Sequence, residues 1–175
     1  DVGLVGFPNA GKSSLVHKIS SGRPKVGDYP FTTLEPVLGI VQVNGHSFVV
    51  ADIPGLLEGA SEGKGLGHQF LKHIERTHTL LFVIDGFAEN AYEQFKVLKD
   101  ELKAFHPKLA EKPFVVALNK DDLGIEAAIK EFKKHRQKVV VTSALTGEGC
   151  VELQQILDEM VPHKQKKTVG WAKKG

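Results

Sequence analysis

Residues 6–13 read Gly6-Phe7-Pro8-Asn9-Ala10-Gly11-Lys12-Ser13. The stretch fits G-x-x-x-x-G-K-[ST], and its flanks decide the fold. Before it, Val2-Gly3-Leu4-Val5-Gly6 is a continuous apolar run with the length of a buried strand. After it, residues 12–20 read as a helix. A glycine-rich bend between strand and helix turns its backbone N–H groups inward, and the helix N-terminus adds partial positive charge. Such a bend holds an anion. Lys12 would reach the β- and γ-phosphates of a nucleotide, and the Ser13 hydroxyl would ligate Mg²⁺. A plain Gly/Pro turn with an incidental lysine has no need of that strand–helix context.

Working outward, residues 37–43 and 47–52 read as two strands joined near Asn44-Gly45, a hairpin-type turn. Residues 80–85, 114–118 and 139–142 are further apolar runs with β-branched residues. Runs of this kind suit strands covered on both faces, as in a parallel sheet. Between them Phe95, Leu98, Leu102 and Phe105 recur at helical spacing. So do Ile125, Ala128, Ile129 and Phe132, and again Leu153, Ile156, Leu157 and Met160. Pro107 and Pro113 bracket a loop, and Pro162 stops the last helix. The expected fold is α/β: a doubly wound, mostly parallel six-stranded sheet with one antiparallel pair. Ligands of such sheets bind at the carboxyl ends of the strands, and every motif below falls at such an end.

Asn119-Lys120-Asp121-Asp122 follows the run 114–118 and fits the N-K-x-D pattern of guanine-binding P-loop proteins. Guanine presents N1–H and a 2-amino group side by side, and one carboxylate, Asp122, can accept both. Adenine offers no such pair, and a site left with its polar group unpaired can discriminate by ~10⁴ or more. Asn119 can tie this loop to the phosphate bend and reach the base, while the Lys120 stem can lie over the purine. Alone the tetrapeptide also reads as a polar helix cap. Ser143-Ala144-Leu145 resembles the S-A-K/L stretch whose backbone N–H meets guanine O6, or is a Ser cap on a loop. Asp52-Ile53-Pro54-Gly55 matches D-x-x-G: Asp52 would hold Mg²⁺ through water, and the Gly55 N–H would contact the γ-phosphate. Upstream, Phe31-Thr32-Thr33-Leu34-Glu35 lies in a polar stretch where one threonine should bind Mg²⁺ when GTP is present. Thr33 is assigned by resemblance, with Thr32 as the fallback.

Leu56 stands where Ras-like proteins often carry a water-orienting glutamine. A leucine neither donates nor accepts a hydrogen bond, so slow intrinsic GTP hydrolysis is expected. From Gly55 to Gly67 there are five glycines, a segment costly to order without a ligand or partner. Residues 55–67 continue into His68-Gln69-Phe70-Leu71-Lys72-His73-Ile74-Glu75-Arg76-Thr77, with Asp28-Tyr29-Pro30-Phe31-Thr32-Thr33 upstream. Together these resemble the G domain of Obg-family GTPases, over roughly residues 1 to 162. Developmentally regulated GTP-binding relatives share parts of the switch and remain an alternative. The resemblance implies a P-loop G domain, guanine nucleotides as ligands, Mg²⁺ as cofactor, and partnership with the large ribosomal subunit or its precursor. It also implies sensing of stress nucleotides. By the same resemblance Asn9 is a candidate for holding a K⁺ ion in place of an arginine finger. Lys12, Thr33, Gly55 and Asn9 are thus the candidate catalytic residues, and Ser13, Thr33 and Asp52 the candidate metal ligands.

Composition sets the remaining bounds. With 175 residues, 41% apolar and 25% charged, the chain is an ordinary globular domain rather than a disordered one. No apolar run approaches the ~20 residues needed to span a bilayer. One cysteine, Cys150, permits no internal disulfide, so a reducing compartment is expected. The expected setting is cytoplasmic and the expected state a monomer. The start at Asp1 reads as a fragment of a longer protein, and the resemblance implies an N-terminal Obg domain that this chain lacks. Net charge is +2, but residues 163–175 hold five lysines and no acid, so the body carries 18 basic against 21 acidic residues. That tail reads as a linker to a downstream segment or as an RNA-contacting arm. His68 and His73 are five apart and share no helical face, and no Cys/His cluster has zinc spacing. Three classes of function compete. One is a GTP-hydrolysing switch, and another is a nucleotide-dependent binding module with minor turnover. A P-loop small-molecule kinase is opposed by residues 119–122 and by the absence of a second substrate motif.

Overall fold

β1 (Val2–Val5) is buried along its whole length, so it requires cover on both faces. In the computed structural model, which describes residues 1–7, 10–26, 37–52, 77–105 and 107–162, it is the middle strand of seven. The others are β2 (Lys25–Val26), β3 (Val37–Val43), β4 (His46–Asp52), β5 (Thr79–Asp85), β6 (Phe114–Asn119) and β7 (Val140–Val141). Their order across the sheet is β2-β3-β4-β1-β5-β6-β7. β1 pairs in parallel with β4 and β5, and β5, β6 and β7 continue in parallel.

The apolar runs are continuous because alternate residues enter two different cores. From β5, Leu81 and Val83 join Val2, Leu4, Phe48 and Val50 beneath α1 (Lys12–Ile19) and α5 (Cys150–Met160). Leu80, Phe82 and Ile84 point the other way, toward α2 (Ala91–Phe105) and α4 (Glu126–Lys134). There Phe82 meets Phe95 and Phe114 edge-on, at centroid distances of 5.4 and 5.5 Å. Phe132 of α4 is fully buried beside Tyr92 and Phe95. The hairpin β3–β4 turns on Asn44 (φ 53°) and Gly45 (φ 77°), the double left-handed geometry that Asn-Gly favours.

The α/β architecture and parallel core agree with expectation. The strand count does not: the described residues hold seven strands, not six. The extra one, β2, has two exposed residues and pairs antiparallel with Val37 and Leu38. It is too short and too exposed to leave an alternating pattern. Antiparallel pairing therefore occurs twice, at β2–β3 and β3–β4. The stretch between Pro107 and Pro113, expected as a loop, opens with a short helix, α3 (Pro107–Ala110), that buries Leu109. Proline suits its first position because an N–H there has no partner. Among the described residues no helix is long and apolar enough to cross a membrane.

Phe132→Ala should cost ~3–5 kcal/mol, since its aromatic surroundings cannot collapse onto the void. Urea unfolding followed by fluorescence or circular dichroism would measure it, and a loss below about 1 kcal/mol would contradict this packing.

Candidate functional site

The motifs meet at the carboxyl ends of β1, β4, β5 and β6. Leaving β1, the chain bends with the Ala10 N–H donating to Phe7 O at 3.1 Å. Gly11 sits at φ 89° and caps α1. A side chain there would be strained, and its Cβ would fall 2.5 Å from Asn119 Nδ2. No side chain caps α1, and its first turn holds no acid. The unpaired N–H groups of that turn therefore favour an anion.

Lys12 is buried and its Nζ lies 3.6 Å from Asp52 Oδ1, an ion pair rather than a hydrogen bond. The pairing of Leu4 with Asp52 across β1 and β4 brings the two together. Asp52 Oδ1 is fully buried with no hydrogen-bond partner. Burial holds the Asp52 carboxyl above its ordinary range, and the neighbouring Lys12 only partly offsets this. A desolvated carboxylate with an unsatisfied oxygen fits a hydrated divalent cation.

β6 ends at Asn119, whose side chain is buried and makes three hydrogen bonds. Its Nδ2 donates to Ala10 O at 2.9 Å. Its Oδ1 accepts from Thr142 Oγ1 at 3.2 Å and from the Ala144 N–H at 3.1 Å. One amide therefore joins the phosphate bend, the 119–122 loop and the 142–145 loop. Lys120 follows in a left-handed conformation, φ 73°, at the start of the 3₁₀ turn Asp121–Leu123. Its Nζ donates to Asp85 Oδ2 at 2.8 Å, while Asp85 Oδ1 accepts from the Phe87 N–H at 2.9 Å. Asp122 is exposed, and its Oδ1 accepts from the buried Ser143 hydroxyl at 2.8 Å. Ser143 Oγ accepts in turn from the Thr146 N–H at 3.1 Å.

Gly6, Phe7, Ala10, Gly11, Lys12, Ser13, Asp52, Asn119, Lys120, Asp121, Asp122, Ser143, Ala144 and Leu145 thus lie on or beside one end of the sheet. Pro8, Asn9, Phe31, Thr32, Thr33, Leu34, Glu35, Ile53, Pro54, Gly55, Leu56, His68, His73 and the 163–175 tail lie outside the described residues. Two contributors escape sequence reasoning. Asp85 ends the apolar β5 run and clasps Lys120, and an acid closing such a run is the signal that points to it. Thr142 is fully buried against Asn119 and carries no motif. The Ala144 N–H, in the stretch expected to meet guanine O6, donates to Asn119 Oδ1. Cys150 is a buried core residue whose thiol burial pushes up, with Lys18 opposing weakly.

Residues 1–120 match the family described as 50S ribosome-binding GTPase. The chain is similar to GTPase Obg of Elusimicrobium minutum, 55% identical over 169 residues that cover 92% of this chain and 36% of that protein. It is also similar to GTPase Obg of Chloroherpeton thalassium, 54% identical over 159 residues, covering 90% and 48%. The chain therefore spans between a third and a half of these relatives' lengths. Their names agree with the resemblance carried by residues 28–33 and 55–77. Among solved structures, the G domain of the T. maritima FeoB iron transporter aligns with a TM-score of 0.66 at 26% identity, over 91% of this chain and 96% of that one. The GMPPNP form of that transporter's cytosolic domain aligns with a TM-score of 0.69 at 23% identity, over 90% and 62%, a likeness of fold alone.

Two outcomes follow from this geometry. Asn119→Ala leaves Ala10 O, the Thr142 hydroxyl and the Ala144 N–H without their partner. At ~1–3 kcal/mol per buried unsatisfied group, urea unfolding should show a loss of about 3 kcal/mol or more. The second concerns pH. Because Asp52 ionises less readily folded than unfolded, its favourable contribution is greatest below its ordinary pKa of 3.8 and is lost as pH rises through the raised value. Without nucleotide or metal, the unfolding free energy of the chain minus that of Asp52→Asn should therefore decline as pH rises above about 4. A difference that grows with pH would contradict the desolvated carboxylate.

Proposed function

The chain belongs to the 50S ribosome-binding GTPase family, and on that footing we propose that its cleft binds GTP and GDP and slowly converts GTP and water to GDP and phosphate. The observation that carries this reading is the Asn119 amide, which locks a phosphate-cradling bend to a loop bearing an acceptor carboxylate. A triphosphate and its purine are thereby recognised by one rigid unit. Lys12 and the first-turn N–H groups of α1 bear the charge that grows on the phosphate oxygens as water attacks in line. Asp122 accepts from guanine N1–H and the 2-amino group, with the Ser143 hydroxyl steadying its Oδ1. The stem of Lys120, its head fixed by Asp85, forms a wall for the ring. Ser13 and Thr33 would hold Mg²⁺ directly and Asp52 through water. Bound there, the metal supplies positive charge to the phosphate oxygens.

In the wider setting the resemblance supports a cytoplasmic, monomeric, nucleotide-dependent switch that acts on the large ribosomal subunit or its precursor and responds to stress nucleotides. A second reading rests on Leu56, which cannot orient water: occupancy by GTP, GDP or an alarmone is then the signal and turnover is minor. Single-turnover hydrolysis in KCl and in NaCl, with and without large ribosomal subunits, separates the two. Stimulation by K⁺ or by subunits supports the enzyme, with Asn9 the candidate K⁺ ligand. An unchanged rate supports the binding module.

Affinities for all four nucleoside triphosphates test the site itself. Guanine should be preferred strongly, and Asp122→Asn should shift that preference toward xanthine. Lys12→Ala should abolish tight triphosphate binding. Asp85→Asn, which frees the Lys120 head, should weaken GDP about tenfold, in keeping with ~1.5–3 kcal/mol for a charged hydrogen bond. In a Lys120→Met background the same change should do almost nothing. An additive loss would remove Asp85 from that positioning role.

A further inference from the structure

Lys130, Lys133, Lys134, Arg136 and Lys138 fall within nine residues at the end of α4 and the approach to β7. All five are exposed or partly exposed, and none has a carboxylate within 4 Å among the described residues. Lys130, Lys133 and Lys134 share one flank of the helix by their i, i+3, i+4 spacing. The one acid in the stretch, Glu131, faces His135 at 3.2 Å, and His135 stacks on Tyr92. Lys133, Arg136 and Lys138 border a recess of about 290 Å³ floored by Ile129 and Val139.

Stabilisation of the helix end explains only part of this. Cations in a last turn are favoured by the helix dipole, which accounts for Lys133 and Lys134. Arg136 lies beyond the helix at φ 56°, a left-handed position that glycine or asparagine fills at less cost. Keeping a guanidinium there costs stability and gains no ion pair among the described residues.

Charge elsewhere narrows the partner. Outside residues 130–138, the body to residue 162 carries 13 basic against 20 acidic residues. The rest of the body is therefore net acidic, and the stripe is its densest run of cations, where a polyanion is least opposed. The stripe also lies away from the nucleotide: it leads into the amino end of β7, whereas Ser143 and the base loop follow its carboxyl end. Both ligands can be held at once.

We propose that this stripe docks the phosphodiester backbone of RNA, with an unstacked base or ribose seated on the Ile129–Val139 floor. The inference deepens the ribosomal reading above by naming a docking surface for it. The test uses the 175-residue chain with its five tail lysines changed to glutamine, so that only the body is measured. The probe is a fluorescein-labelled 20-nucleotide oligouridylate, titrated by anisotropy at several KCl concentrations, with oligoglutamate of matched length as the rival anion.

Adding Lys133→Gln, Arg136→Gln and Lys138→Gln should weaken RNA binding at least tenfold in 0.1 M KCl. It should also reduce the slope of log K against log salt by about 2, because each phosphate no longer neutralised takes ~0.7 from it. GDP affinity should be unchanged. No RNA binding by the tail-neutral chain, an unchanged slope, or equal binding of oligoglutamate would each overturn the proposal. Co-sedimentation with large ribosomal subunits separates the two readings. If the triple variant sediments as well as its parent, the stripe fails and the ribosomal reading stands. If the parent binds RNA through the stripe yet never sediments, the ribosomal reading fails and the stripe stands.

Discussion

The geometry of the cleft depends on the three hydrogen bonds of one buried amide. Asn119 ends β6, and from there it spans 109 residues of sequence to Ala10, and 25 forward to Ala144. Every donor or acceptor it meets is backbone or a buried hydroxyl, so nothing else is free to replace it. The close approach of its nitrogen to Gly11 shows how tightly the bend is drawn against the loop. Buried polar groups are costly when half satisfied and rigid when complete. This one holds Ala10 on one side and Thr142 and Ala144 on the other, and the loops that carry them take their positions from it.

Two acid–cation pairs at the same end of the sheet differ in kind. Lys120 and Asp85 are joined at 2.8 Å, with the second Asp85 oxygen taken by a backbone N–H. That pair is finished: it fixes a shape and asks for nothing more. Lys12 and Asp52 stand 3.6 Å apart in a nearly dry site, with one carboxylate oxygen lacking a hydrogen bond. That pair is unfinished, and ionised groups in such surroundings are expensive unless further charge arrives. The contrast separates the part of the cleft proposed to receive an uncharged ring from the part proposed to receive phosphate and metal.

Much of this is legible in the amino-acid order because the signals are local. Asn44-Gly45 encodes its own turn, and the apolar runs of β1, β5 and β6 announce strands with two covered faces. The turn from β1 into α1 reads directly from its glycines and the helix that opens at Lys12. What stays hidden depends on partners distant in sequence or on segments too short to have a period. Asp85 and Lys120 are 35 residues apart, and only the register that sets Asp85 beside Asn119 brings them together. Thr142 looks like any strand-end hydroxyl until Asn119 is placed. β2 is two residues long, so it has no alternation to detect. The short helix after Pro107 is masked because a pair of prolines suggests a loop, although proline also opens helices.

The brevity of β2 and β7 has a consequence of its own. These two strands form the outer margins of the sheet, and each is only two residues long, with Lys25 on one side. A long bare margin would present a ladder of open amides on which another chain could crystallise as an added strand. Here each rim offers too few rungs to template such growth, and so the sheet's termination doubles as protection against fibril formation.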